Sequence, residues 1–230
     1  MTFTPHFSNR IEQLRDSCLA VLAQPMIDPL ATEYVLVDNL VMGQWLNLQI
    51  AQQQGIAANI RYIQPHELFW LLARSVVSAD IPRETPLSKQ EMLWKLYGLF
   101  GNGVLLERTV MQPVKHYLQG EASAALKRYQ LAATVADLFD QYLVYRPDMI
   151  LRWETEKKIS AGDRNAQWQC ELWQQLTATA ENVGNKKLHH RAAIEQQLLE
   201  ILDKTDSDSI QKMLPLQRLS VFGITSMPPR

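Results

Sequence analysis

Tyr34-Val35-Leu36-Val37 restricts the fold of this chain more than any other stretch. Four consecutive apolar residues with no polar position between them suit a strand buried on both faces, the condition of a strand inside a parallel sheet. The flanks agree with that reading. Asn39 can cap a helix that follows at once, and Gly55 lies where a left-handed C-cap would end it. Asn59-Ile60-Arg61-Tyr62-Ile63 is a weaker strand, and Pro65 is positioned to open a helix running through Trp70 and Leu72. Upstream, Phe3 to Phe7 is a short strand candidate. Asn9-Arg10-Ile11-Glu12 reads as a capping box for a helix whose apolar face is Ile11, Leu14, Cys18, Val21 and Leu22. The order is βαβαβα, which predicts a parallel sheet with right-handed crossovers.

The pattern changes after Pro82. Ser88-Lys89-Gln90-Glu91 forms a second capping box, and helical periods without a convincing strand continue to about Leu202. Helices are expected over 88–101, 104–119, 122–145, 164–183 and 188–203. Leu219-Ser220-Val221-Phe222-Gly223-Ile224 then restores a strand signature. The chain is therefore expected to be α/β, with residues 1–84 and 216–230 in a sheet domain and 85–215 in a large all-α inserted subdomain.

A chain of 230 residues, 47% of them hydrophobic, can bury a proper core. Its net charge of −1 provides no global attraction for phosphates, so any nucleic-acid contact must come from a local surface or from partner subunits. Bulk charge neither supports nor excludes DNA. Cys18 and Cys170 lie far apart without metal-ligand spacing, which fits two buried thiols in a reducing compartment. No run approaches the roughly 20 apolar residues of a membrane span, so no membrane contact is expected and a cytoplasmic location is.

Catalytic signals are weak. A phosphate-binding loop would occupy the first turn of such a domain, yet that turn reads His6-Phe7-Ser8-Asn9-Arg10. No glycine precedes Gly43, and Gly-Lys-Thr and Gly-Lys-Ser are absent from the sequence. No ATP hydrolysis is expected there, and no catalytic residue, metal or cofactor is assigned. His189 and His190 point about 100 degrees apart on a helix, so a solvated helix start outweighs a ligand pair. Lys186, Lys187, His189, His190 and Arg191 make the densest basic patch, again more simply read as a solvated loop and helix start than as a phosphate contact. Trp45, Trp70 and Trp94 sit at helical spacing beside leucines, which favours core packing over base stacking. Asp137 and Asp140 with Gln141 form a polar stripe: an exposed helix face is the simplest account, a binding surface the next, a metal site the least favoured.

The stretch from Ala136 to Asp148, ADLFDQYLVYRPD, carries a family resemblance. It is accompanied, in order, by His6-Phe7-Ser8-Asn9-Arg10, Met42-Gly43-Gln44-Trp45-Leu46, Gly55-Ile56-Ala57-Ala58-Asn59-Ile60, Trp94-Lys95-Leu96, Trp153-Glu154-Thr155 and Phe222-Gly223-Ile224 with Pro228-Pro229. Together these resemble the N-terminal portion of RecC, the gamma subunit of exodeoxyribonuclease V. The resemblance implies a P-loop-helicase-like domain of superfamily 1 type lacking the ATPase motifs, with a helical subdomain inserted. In that family this portion helps form a channel for the unwound 3′-ended strand, in which the Chi sequence is sensed. The motor and nuclease activities, with their ATP and Mg²⁺, belong to the partner subunits RecB and RecD.

Positions matching channel-lining or Chi-sensing positions of the family are Gln44, Trp70, Asp137, Leu138, Asp140, Gln141, Arg146 and Arg191. Amides and carboxylates can pair with base edges, arginine with phosphate or base, and Trp70 can stack. Asp38, Leu40 and Gln64 depart from the family pattern, where an amide, a hydroxyl residue and an apolar residue are expected. A carboxylate at Asp38 cannot donate the hydrogen bonds of an amide, which bears on the sequence recognised. The expected partners are RecB, RecD, single-stranded DNA and duplex ends. The alternative is a helical scaffold whose Asp137 and Gln141 face contacts only protein.

Overall fold

The computed structural model describes residues 3–28, 30–82, 87–120, 124–156, 164–181 and 190–225. In chain order the elements are α1 (Ile11–Leu22), β1 (Glu33–Val37), α2 (Leu40–Gln54), β2 (Ile60–Ile63) and α3 (Pro65–Leu72), which runs on as a π-helical turn over Ala73–Val77. Then come α4 (Lys89–Leu99), α5 (Gly103–Leu106), a 3-10 turn (Thr109–Met111), α6 (Gln112–Leu118), α7 (Ala124–Tyr145), α8 (Pro147–Thr155) and α9 (Arg164–Glu181). The last are α10 (Arg191–Lys204), α11 (Ser207–Met213) and β3 (Leu219–Phe222). Two compact units result: the described residues up to Ile81 and from Gln197 onward form a sheet unit, and Pro82–Gln196 forms a helical unit.

In the sheet unit three parallel strands lie in the order β2-β1-β3. Every residue of β1 is buried, as its unbroken apolar run requires. Successive side chains leave a strand on opposite faces, and the cores follow that alternation. Val35 and Val37 pack with Leu19, Leu46, Ile50 and Phe222, whereas Tyr34 and Leu36 pack with Ile63 and are flanked by Leu68, Leu71 and Leu219. Glu33, 7% exposed, accepts two 2.7 Å bonds from the Arg218 guanidinium, and this bidentate pair fixes the start of β1 to the approach to β3.

Local signals explain the ends of the elements. The Asn39 side chain accepts from the Met42 N–H at 2.9 Å, and Gly55 ends α2 at φ 80. Asn59 adopts φ 59 and donates from its amide to the Leu30 and Ala31 carbonyls, holding the approach to β2 beside the approach to β1. Trp45 stacks on Phe222 at 6.1 Å between ring centroids, in the core role expected of it.

Several expectations are corrected. Phe3–Phe7 is not a strand: Pro5 lacks the N–H that a ladder needs, and Phe3 and Phe7 stand 88% and 90% exposed. Asn9 does not cap α1, because Arg10 occupies the N-cap position without a side-chain bond; Ser8 accepts from the Arg10 N–H instead. The single helix expected over 104–119 is broken into α5, the 3-10 turn and α6. Asn102 caps α5 through the Val104 and Leu105 amides, and Pro113 sits in the first turn of α6. Two helices, α8 and α11, were not expected. Pro147 stops α7 but equally starts α8, because its missing N–H costs nothing in a first turn, while Asp206 caps α11 through the Asp208 and Ser209 amides.

The helical unit has one continuous core in which Phe139, Trp153 and Trp173 meet edge to face, Trp173 lying 5.5 Å from Phe139 at 89°. Helices α4 and α7 pair antiparallel, since Lys89 meets Asp137, Trp94 meets Tyr129 and Tyr97 meets Arg128. Among the described residues no helix is long and apolar enough to cross a membrane.

Candidate nucleic-acid interface

Six of the eight residues singled out by the resemblance fall in the helical unit. Asp137, Leu138, Asp140 and Gln141 lie on α7, whose opposite face is anchored by Val135, Ala136, Phe139 and Leu143 in the core. Asp140 and Gln141 are exposed, and Leu138 is half-buried. The Asp137 carboxylate is held from two sides: the Lys89 ammonium, at the start of α4, donates to one oxygen and the Gln141 amide donates to the other at 3.0 Å. The Lys89 hydrogen bond and charge, aided by Gln141, hold the Asp137 carboxyl below its ordinary range, and the same contact raises Lys89.

Arg191 begins α10 and comes under the influence of α7. Burial pushes its guanidinium down from the ordinary value, while the negative charges of Glu195 and Asp140 and the Tyr145 phenol act in the opposite sense. Arg146 sits between α7 and α8 as the α8 N-cap residue; its backbone N–H donates to the Tyr142 carbonyl at 2.9 Å and its exposed guanidinium reaches Asp148 at 3.4 Å. The stripe therefore presents carboxylate, amide and guanidinium groups on one exposed end of a rigid helix. Such a set can donate to and accept from base edges, and Arg146 can meet a phosphate.

Gln44 and Trp70 belong to the sheet unit. Gln44 is exposed on α2, and Trp70 is half-buried on α3 with its ring edge-on to Phe69 at 5.0 Å. Asp38, Leu40 and Gln64, expected from the resemblance to depart from the family pattern, lie just beyond the carboxyl ends of β1 and β2, where open parallel sheets usually bind ligands. Asp38 and Leu40 are exposed. Gln64 uses its amide to donate to the Asp38 carbonyl at 3.2 Å, and its backbone N–H to meet Glu67 at 2.9 Å.

His190 is not solvated. It is 3% exposed, its Nε2 lies 2.7 Å from the Glu154 carboxylate, its Nδ1 accepts from the Ala193 N–H, and Trp173 meets it edge-on. With Nδ1 accepting, the network assigns the proton to Nε2, so His190 caps α10 and ties it to α8. Glu154 was missed as its partner because the two are 36 positions apart, with no periodicity connecting them. Lys186, Lys187 and His189 lie outside the described residues. Trp94 is also corrected: it is 57% exposed, because Met92 and Leu96 take the buried face of α4. Among the described residues no group of three or more His, Cys, Asp or Glu side chains is arranged to hold a metal.

A family model described as "RecC, N-terminal domain" matches residues 3–230. The RecC subunit of the RecBCD enzyme from Escherichia coli K12 is 35% identical over 97% of this chain and 19% of that protein. The same subunit from Haemophilus influenzae is 32% identical over 98% of the chain and 21% of its own length, and that from Mycolicibacterium smegmatis 30% identical over 97% and 19%. The chain thus spans about a fifth of the length of the relatives it matches. It belongs to the RecC family, within the N-terminal domain of that subunit.

Proposed function

We propose that this chain is a catalytically inactive, helicase-like part of a RecC subunit that guides single-stranded DNA and senses a Chi-like sequence during repair of double-strand breaks. In this reading it docks with RecB and RecD, which act on duplex ends and supply the ATP- and Mg²⁺-dependent chemistry, and the complex works in the cytoplasm. The observation that carries the reading is the gathering of Asp137, Asp140, Gln141 and Arg191 about the exposed end of α7, with Arg146 following it. Side chains on a packed helix can discriminate bases better than side chains on a loose loop, because their positions are fixed before the strand arrives. Gln44 and Trp70, with Asp38, Leu40 and Gln64, are the matching group proposed for the sheet unit.

The test places Gln141→Ala and Arg146→Ala in the full-length subunit assembled with RecB and RecD. Unwinding should persist while the response to candidate Chi sequences is lost. An unchanged Chi response in both variants would sink the assignment, and failed assembly would favour the protein-only scaffold.

A further inference from the structure

We propose that the α4–α7 surface around Trp94, Tyr97, Arg128 and Tyr129 is a stacking platform for single-stranded nucleic acid, separate from the Asp137 stripe. The inference rests on the single-strand reading above, and extends it to residues which that reading does not use.

Trp94 is more than half exposed and Tyr129 is 42% exposed, so both rings face solvent more than core. They are nevertheless ordered against each other: Trp94 lies 6.1 Å from the Tyr129 ring at 53° and 6.0 Å from the Tyr97 ring at 77°. A planar base can stack on a ring presented this way whatever its identity. Beside Trp94, one helical turn on, Gly98 is exposed, and a Cβ there would meet nothing within 4 Å. The ring thus borders open space on its own helix face.

Charge selects the kind of occupant. Arg128 lies over the Tyr97 ring with its Cζ 5.4 Å from the centroid. Gly101 leaves room for that guanidinium, since a Cβ there would come within 3.0 Å of Arg128 Nη1. Across residues 91–101 and 124–136 the cations are Lys95, Lys127 and Arg128, against the single carboxylate of Glu91. A net positive surface interleaved with rings complements a phosphodiester strand, whereas the stripe at the other end of α7 carries Asp137 and Asp140. The two ends of one helix accordingly offer different chemistries: stacking and phosphate attraction at the first, base-edge hydrogen bonding at the second.

The experiment uses the full-length subunit assembled with RecB and RecD, and a single-stranded oligothymidylate carrying 5-iododeoxyuridine as photocrosslinking probe. Crosslinks are expected on the peptides bearing Trp94 and Tyr129. Trp94→Leu, which keeps an apolar side chain but removes the stacking surface, should lower their yield about tenfold, while Trp94→Phe retains it. Arg128→Gln should lower the yield most at low salt and make it fall less steeply as salt is added, because one phosphate contact is lost. Crosslinks confined to other parts of this chain would overturn the platform and leave the single-strand reading standing. No crosslink anywhere on the chain would count against both. Loss of assembly in Trp94→Leu would mark the surface as a protein contact and equally overturn the proposal.

Discussion

The helical unit and the sheet unit bury their apolar residues in different ways. In the helical unit one continuous cluster joins α4 through α9, and within it Trp173, Phe139 and Phe100 are almost wholly enclosed. In the sheet unit three strands separate two smaller clusters, so each side chain of β1 commits to one thin layer or the other. A thick core distributes the loss of any one side chain among many neighbours but suffers most when its central aromatic goes. A thin layer depends instead on close approach between helix and strand. The polar stripe of α7 stands on the thick core, which is why its side chains can be held in fixed positions.

The largest expected effect tests the centre of that thick core. Trp173→Ala removes a fully buried indole that meets Phe139 and His190 edge-on and whose Nε1 donates to Glu154 at 3.0 Å. A loss of about 3–5 kcal/mol is expected, read by denaturant unfolding of the chain. Hydrogen exchange should show the lost protection concentrated in α7, α8 and α9. Equal loss in β1 and β2 would break the comparison, because it would mean that the two cores do not fail separately.

A smaller effect tests the thin layer. Gly43 in α2 faces Tyr62 of β2 so closely that an added Cβ would lie 2.9 Å from the ring Cγ. Gly43→Ala should therefore destabilise by about 1–3 kcal/mol despite the better helix propensity of alanine, since the helix must lift from the sheet. Hydrogen exchange in β1 and β2 should report it. A stabilised variant would mean that Tyr62 can turn aside and that the layer is looser than its packing implies.

The same contrast explains what the sequence revealed. β1, the Asn39 cap, the Gly55 stop and the Pro65 start were legible because each depends on neighbours within a few residues. The strand at β3 was legible from an isolated apolar run near residue 220, but its parallel pairing with β1 was not, because it joins residues far apart in the chain. Phe3–Phe7 misled because its aromatic spacing imitates a strand while Pro5 opposes one. Pro147 misled in the opposite way, since a proline that ends one helix looks identical to a proline that starts the next. At the site, the order of Asp137, Asp140 and Gln141 along one helix could be read directly. Lys89 and Glu154 could not, because each reaches its partner across more than 30 positions and only the folded core brings them together. Trp94 was misjudged because an apolar face defined by spacing does not say which of several large residues will be turned outward.

The smallest effect concerns the surface of the thick core. Asp137 titrates below its ordinary value of 3.8 because Lys89 donates to it, and Gln141 adds a further bond. A carboxyl whose folded value is depressed stabilises the fold above its unfolded value, and that contribution disappears as pH falls through the folded value. The Lys89 contact should therefore persist at neutral pH and through the ordinary carboxylate range, failing only in stronger acid. Carboxyl NMR titration of Asp137 checks this: in Lys89→Met the midpoint should rise back to the ordinary carboxylate range, because desolvation then offsets the bond from Gln141. Since both partners are about half exposed, solvent screens the pair, and the same variant should leave the unfolding midpoint nearly unchanged. An unmoved midpoint would show that Lys89 does not hold Asp137. A large loss of stability would show that the stripe supports the fold rather than resting on it, and the division between a structural core and a polar surface would fail at α7.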